Sequence, residues 1–173
     1  MGFGATTPYT SLLTLTGTWA TFNDGVGGQT LATLVSHYQQ NVAPYFNRTS
    51  PQNVIVLEAI TNDFAANPSL NVNTAYSLFT QYVSMAHSTG FKVIVWTMIS
   101  RTGLDTQKNA INPLILANTA GADGIVDMTA TKFGCDGCFA DTSVYQNDGI
   151  HPNQNGITTI EAPKVSAAVN ALP

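Results

Sequence analysis

The stretch of this chain with the clearest capacity for proton chemistry is Tyr145-Gln146-Asn147-Asp148-Gly149-Ile150-His151-Pro152-Asn153, close to the C-terminal end. An acid three residues before a histidine, with a glycine between them and a proline after, can fold back so that the carboxylate meets imidazole Nδ1. Such a pairing fixes the tautomer, leaves Nε2 as the proton acceptor and stabilises the imidazolium formed when a nucleophile is activated. Asp148 and His151 are therefore the candidate acid-base pair. Asp-Gly is also a common turn and His-Pro a common way into a helix, so the stretch acquires meaning only from its surroundings.

The surroundings exclude several classes. At 173 residues and 44% hydrophobic, the chain suits one domain spanning 1–173 with a full core. Only 9% of residues are charged and the net charge is -4, so no basic patch invites nucleic acid. No apolar run approaches the roughly 20 residues of a membrane span, and Met1-Gly2-Phe3-Gly4 lacks the basic start and apolar block of a signal peptide. A charge-poor surface rich in Thr and Asn suits an extracellular protein whose leader has been removed. His37, His87 and His151 are scattered relative to Cys135 and Cys138, so neither a metal nor a cofactor is expected. Cys135-Asp136-Gly137-Cys138 lies in a polar loop and reads as a small local disulfide, with free thiols in a reducing compartment as the alternative. Asn47-Arg48-Thr49 fits a glycosylation acceptor.

The elements that must carry Asp148 and His151 alternate along the chain. Thr7-Pro8 followed by Tyr9, Leu12, Leu13 and Leu15 predicts a short helix, and Trp19-Ala20-Thr21-Phe22 a brief strand before the turn Asn23 to Thr30. Helical spacing resumes with Leu31, Leu34, Val35, Tyr38 and Val42. Residues 53–59 predict a strand buried on both faces, 74–87 a helix stopped by Gly90, and 91–98 another strand. A helix over 107–119, a short strand over 124–127 and a last helix over 153–171 complete the series. Alternation at this spacing predicts an α/β fold with a parallel sheet between two helical layers. Ligands then bind beyond the carboxyl ends of the strands. There the sequence puts Gly25 to Thr30, Thr61-Asn62-Asp63, Ser100-Arg101 and the Asp148 loop.

In that order these residues resemble the SGNH (GDSL-type) hydrolases, over nearly the whole chain. Asn23-Asp24-Gly25-Val26-Gly27-Gly28-Gln29-Thr30 is similar to the second block of that family, which places Gly28 as a backbone oxyanion donor. Ile60-Thr61-Asn62-Asp63 resembles the third block, Gly-x-Asn-Asp, and makes Asn62 a side-chain oxyanion donor. Asp148-x-x-His151-Pro152 matches the fifth block, which supplies acid and base. The resemblance implies a flavodoxin-like α/β/α sandwich with a parallel sheet, and an esterase acting on small acyl-ester or acetylated carbohydrate substrates.

Two departures accompany it. Ile60 stands where the third block has glycine, which puts a branched side chain in that turn. The family's first strand, ending in Gly-Asp-Ser with the nucleophile, has no counterpart, and Gly2 to Tyr9 is similar to the segment just C-terminal of that serine in the family. Ser11, Ser36 and Ser84 fall on predicted helices and Ser100 comes after the wrong strand, so none replaces that serine. With the first strand missing, the expectations are a truncated form with weak or no activity and either a rearranged sheet or a homo-oligomer that completes it. The alternative is a non-catalytic carbohydrate- or acyl-binding or scaffold protein derived from that fold. His37 and His87 read as surface or partly buried helix residues, Arg101 as a solvated loop charge with lining of the rim as the alternative, and Trp19 and Trp96 as core.

Overall fold

The computed structural model describes residues 6–173. Residues 2–5, which belong to the stretch that resembles the segment after Gly-Asp-Ser, lie outside the described residues. Three strands, β1 (Val54–Leu57), β2 (Lys92–Trp96) and β3 (Gly124–Val126), form a parallel sheet in the order β1-β2-β3. Val54 is in register with Lys92, and Ile94 with Gly124. The helices are α1 (Leu31–Asn41), α2 (Thr61–Ala66), α3 (Val72–Thr89) and α4 (Asp105–Ala117), and a continuous C-terminal helix ends the chain. That last helix consists of α5 (Gln154–Gly156), a π-helical segment (Ile157–Glu161) and α6 (Ala162–Asn170).

Alternation along the strands sorts the core into two layers. Ile55, Leu57, Val93 and Val95 join Leu31, Tyr38, Phe79, Val83, Ile111 and Ile115 of α1, α3 and α4. Val54, Val56, Ile94 and Trp96 join Val165 and Val169 of α6, together with Tyr9, Leu13 and Leu15. Successive side chains of a strand point to opposite faces, so strands apolar at every position need both faces covered. The architecture is thus the expected α/β/α sandwich.

Helix ends follow local chemistry. Asn71 accepts from the backbone N–H groups of Asn73 (2.9 Å) and Thr74 (3.3 Å) to start α3, and Gly90, at φ 110°, ends it in the left-handed conformation. The Asn153 side chain accepts from Gly156 N–H at 2.9 Å to start the C-terminal helix. Gly156 must be small there, because a Cβ would lie 2.3 Å from the Val144 carbonyl oxygen. Cys135 and Cys138 are disulfide-bonded, and the buried Lys108 ammonium holds their loop through the Gly134 carbonyl and Asp136.

Two expectations fail. Trp19 to Phe22 forms no strand: the segment is irregular and Phe22 is 68% exposed, stacked loosely on Tyr45. Its β-favouring composition cannot make a strand without a partner to take its backbone hydrogen bonds. The sheet of the described residues therefore has no strand beyond β1. The predicted helix from Thr7 shrinks to one 3₁₀ turn, Tyr9–Ser11, because Thr14 N–H bonds Ser166 Oγ (2.9 Å) and Thr16 N–H bonds Asn170 Oδ1 (2.8 Å). Those bonds draw the chain out along α6. No helix among the described residues is long and apolar enough to cross a membrane.

Candidate active site

A short antiparallel bridge between Tyr145 and Pro152 closes the loop that carries the acid and the histidine. Gln146 N–H donates to the His151 carbonyl at 2.8 Å, and the buried Tyr145 hydroxyl donates to the Ser100 carbonyl at 2.7 Å. Inside the loop, Asp148 Oδ1 accepts from the backbone N–H groups of Ile150 (2.9 Å) and His151 (3.0 Å). Asp148 Oδ2 meets His151 Nδ1 at 2.7 Å. The i,i+3 spacing thus does what the sequence suggested. Against the upward push of partial burial, the bonds from the ring and backbone of His151, from Ile150 N–H, and the imidazole charge bring the Asp148 carboxyl down to about 2.

The loop after β2 clamps this one. Thr102 donates to the Gly149 carbonyl through both its N–H and its hydroxyl, each at 3.0 Å. Gly149, at φ 65°, has room for no side chain: a Cβ would lie 2.2 Å from Thr102 Oγ1.

On the same rim, β1 runs into α2 through Ile60, whose φ is 84°. A positive φ of this size is readily adopted by glycine and is here imposed on a branched residue. The Ile60 side chain is fully buried in the α1/α3 layer, which offsets that strain. Asn62 Nδ2 donates to the Gln29 carbonyl at 3.0 Å, next to Gly28, itself at φ 78°. Asn62 Oδ1 accepts from Arg101 Nη1 at 3.0 Å. Asp63 reaches across to α1, accepting from Leu31 N–H at 2.7 Å and Ala32 N–H at 3.2 Å.

Of the two readings of Arg101, the structure supports the rim residue and not the solvated loop charge. The Arg101 guanidinium is half-buried, bonded to Asn62 and, at 3.3 Å, to Thr61 Oγ1. Burial lowers its pKa, and the nearby Asp148 carboxylate opposes that shift. A continuous line of contacts thus runs from Gly28-Gln29 through Asn62 and Arg101 to the Asp148 loop. Sequence reasoning missed Asp63 as a tie between β1 and α1. The signal available was an acid just past a strand end, facing a helix that has no acid in its own first turn.

A His-Asp pair alone does not mark a site. His87 Nε2 sits 2.8 Å from Asp123 Oδ2 at the opposite end of the strands, with Lys92 Nζ 2.9 Å from Asp123 Oδ1. There the carboxylate ties the end of α3 to the start of β2, also accepting from Val93 N–H at 2.8 Å. The serines are likewise structural: Ser100 is buried with its hydroxyl on Asp105 at 2.8 Å, and the Ser36 hydroxyl donates to Thr33 of its own helix. Ser11 and Ser84 lie on the exposed outside of the 3₁₀ turn and of α3. A surface recess of about 540 Å³ is lined by Lys132, Cys135, Asp136 and Asp141 and includes none of the candidate residues. No cluster of three or more His, Cys, Asp or Glu side chains suited to a metal occurs among the described residues.

Two solved structures resemble this fold. An acetyl xylan esterase, AlAXEase, superposes with a TM-score of 0.64 at 16% identity, over 83% of this chain and 77% of that one. The fold is that of the SGNH (GDSL-type) hydrolases. A protein of the G-D-S-L lipolytic family from Desulfitobacterium hafniense DCB-2 matches with a TM-score of 0.54 at 15% identity, over 81% of this chain and 75% of that one. No family model matches the sequence, and no curated protein does. The fold is therefore shared with these proteins at a level where sequence similarity has faded.

Proposed function

We propose that the chain is an ester hydrolase of SGNH type whose acid-base machinery is Asp148 and His151, with Gly28 N–H and Asn62 Nδ2 as oxyanion donors. The observation that carries the proposal is the 2.7 Å Asp148–His151 pair, held by Thr102 on the same rim as Asn62 and Gly28. Asp148 orients the imidazole and balances its charge, so that Nε2 takes a proton as the nucleophile attacks the ester carbonyl carbon. The carbonyl π bond opens to an oxyanion, which the two donors stabilise. Collapse expels the alkoxide, and His151 returns the proton to it. Asn62 bonds Gln29 with one Nδ2 hydrogen and has a second to offer.

None of Ser11, Ser36, Ser84 and Ser100 is placed as nucleophile, and the nucleophile proposed for this chain is a water molecule activated by His151. Turnover is correspondingly slow: the oxyanion hole and binding alone leave about 10³ to 10⁴-fold over water. The substrates proposed are small acyl esters and acetylated carbohydrates, the class named for the acetyl xylan esterase of the same fold. The Cys135–Cys138 disulfide is in keeping with an extracellular protein. The test is hydrolysis of p-nitrophenyl acetate by the chain and by His151→Ala. Loss in the variant supports the proposal, and equal rates overturn it.

Because Ser11, Ser36, Ser84 and Ser100 all point to structural roles, a second reading is a carbohydrate- or acyl-binding or scaffold protein without turnover. It predicts acetylated-oligosaccharide binding that survives Asp148→Asn and His151→Ala, with no hydrolysis by any form.

A further inference from the structure

Arg101 is the half-buried cation of the rim, and the three contacts of Asn62 and Arg101 constrain one another. A guanidinium can only donate hydrogen bonds and a backbone carbonyl can only accept them. Arg101 Nη1 lies 3.0 Å from one end of the Asn62 carboxamide and the Gln29 carbonyl 3.0 Å from the other. The amide therefore has a single satisfactory orientation, Oδ1 toward the arginine and Nδ2 toward Gln29. Flipping it would set N–H against guanidinium and oxygen against oxygen, losing both bonds. The same guanidinium donates to Thr61 Oγ1 at 3.3 Å, which anchors the cation to the residue preceding Asn62.

We infer that Arg101 is a positioning residue for the oxyanion donor, fixing the Asn62 carboxamide with Nδ2 facing the Gly28 side and polarising it into a stronger donor. A positive group on Oδ1 draws electron density from the amide nitrogen, and charge-assisted bonds of this kind are shorter and stronger than neutral ones. The arginine touches no reacting atom in this arrangement and acts through Asn62. The catalytic consequence rests on the ester-hydrolase reading, whereas the orientation of the amide does not.

The test reads both levels separately. In ¹⁵N-resolved NMR spectra of the whole chain, assigned with Asn62→Ala, the Asn62 Nδ2 hydrogens should resonate away from the cluster of exposed side-chain amides. Arg101→Met should move them into that cluster or broaden them, and Arg101→Lys, which keeps the charge but not the planar fork, should give an intermediate shift. Unchanged Asn62 signals in a folded Arg101→Met protein overturn the inference, whether or not the wild type hydrolyses esters. Where hydrolysis is measurable, Arg101→Met should lower kcat about 10- to 100-fold, below the 10² to 10³-fold typical for deleting an oxyanion donor, with KM little changed. In the Asn62→Ala background it should cost almost nothing more, since residues acting through one another are non-additive. A full additional loss in that background overturns the inference. Should Arg101→Met fail to fold, Arg101→Lys carries the same NMR and kinetic comparison. Absence of hydrolysis in the wild type counts against the proposed function only.

Discussion

Replacing Asp63 by alanine should loosen the junction on which the candidate site stands. The first N–H groups of α1 have no partners within the helix. Asp63 takes those of Leu31 (2.7 Å) and Ala32 (3.2 Å), Thr30 Oγ1 takes that of Thr33 (3.1 Å), and Leu34 N–H turns back to the Thr30 carbonyl (3.0 Å). Every N–H of the first turn is thus accounted for, two of them by one carboxylate from another element. Hydrogen bonds to a charged group contribute about 1.5–3 kcal/mol each, and the helix dipole favours an anion in this position. Asp63 is 6% exposed, so alanine leaves donors that water reaches poorly, Leu31 being fully buried. Regaining the hydration of a freed carboxylate on unfolding offsets part of the loss. The net cost should be about 3–5 kcal/mol, a fall in Tm of about 8–14 °C for a chain of this length. Asp63→Asn keeps one acceptor but turns an NH₂ group toward a donor, and should cost about 1–3 kcal/mol. Urea unfolding monitored by circular dichroism measures it, with the midpoint lowered and the slope unchanged. A loss below about 1 kcal/mol for Asp63→Ala would refute the idea that this carboxylate holds α1, and with it the Gly28 loop, against β1.

Other consequences can be checked alongside. Asp148→Asn should leave the fold intact yet lower the slow hydrolysis about 10- to 100-fold, because the amide stabilises the wrong imidazole tautomer; a steady-state ester assay reads it. The folded Asp148 carboxyl is depressed to about 2, so its contribution to stability is present above the unfolded value near 4 and lost as pH falls through about 2. The Tm of Asp148→Asn should therefore vary less than the wild type's across that window. Glu161 behaves oppositely: burial, then the nearby Glu58 carboxylate, raise its pKa well above the ordinary value. A raised carboxyl favours the fold below its unfolded pKa and loses that advantage as pH climbs through the folded one, so Glu161→Gln should raise Tm at pH 7 and change it little at pH 4. Reducing the Cys135–Cys138 bridge opens a four-residue loop, worth about 2 kcal/mol on loop entropy alone. Calorimetry with and without dithiothreitol should show a modest shift with the fold retained.

Legibility in the sequence followed the range of the interaction. Strands apolar nearly throughout, such as Val54–Leu57 and Lys92–Trp96, announce burial on both faces, and Gly90 announces the end of α3. These signals are local, and the structure keeps to them within two or three residues. The Asp148–His151 contact was legible for the same reason, since both partners sit in one turn. Trp19 to Phe22 was misread because strand formation depends on a partner edge, which composition does not disclose. Arg101 was left open and Asp63 missed because their roles lie in contacts 39 and 32 residues away in sequence, with Asn62 and Leu31.

Ile60 shows how such a distant requirement can override a local one. Glycine enters the left-handed region without penalty, and a branched residue at φ 84° carries strain on the order of 1–3 kcal/mol. The Ile60 side chain, 1% exposed among Leu57, Phe64 and the α1 layer, stabilises by an amount at least as large, since truncating a buried isoleucine costs about 2–5 kcal/mol. The turn therefore holds a positive φ on Ile60 and places Asn62 beside Gln29, while the core takes up a side chain that glycine would not supply. On this balance Ile60→Gly should leave the Asn62 position unchanged and lower stability, whereas a gain in stability would mean that strain outweighs burial at the entrance to α2.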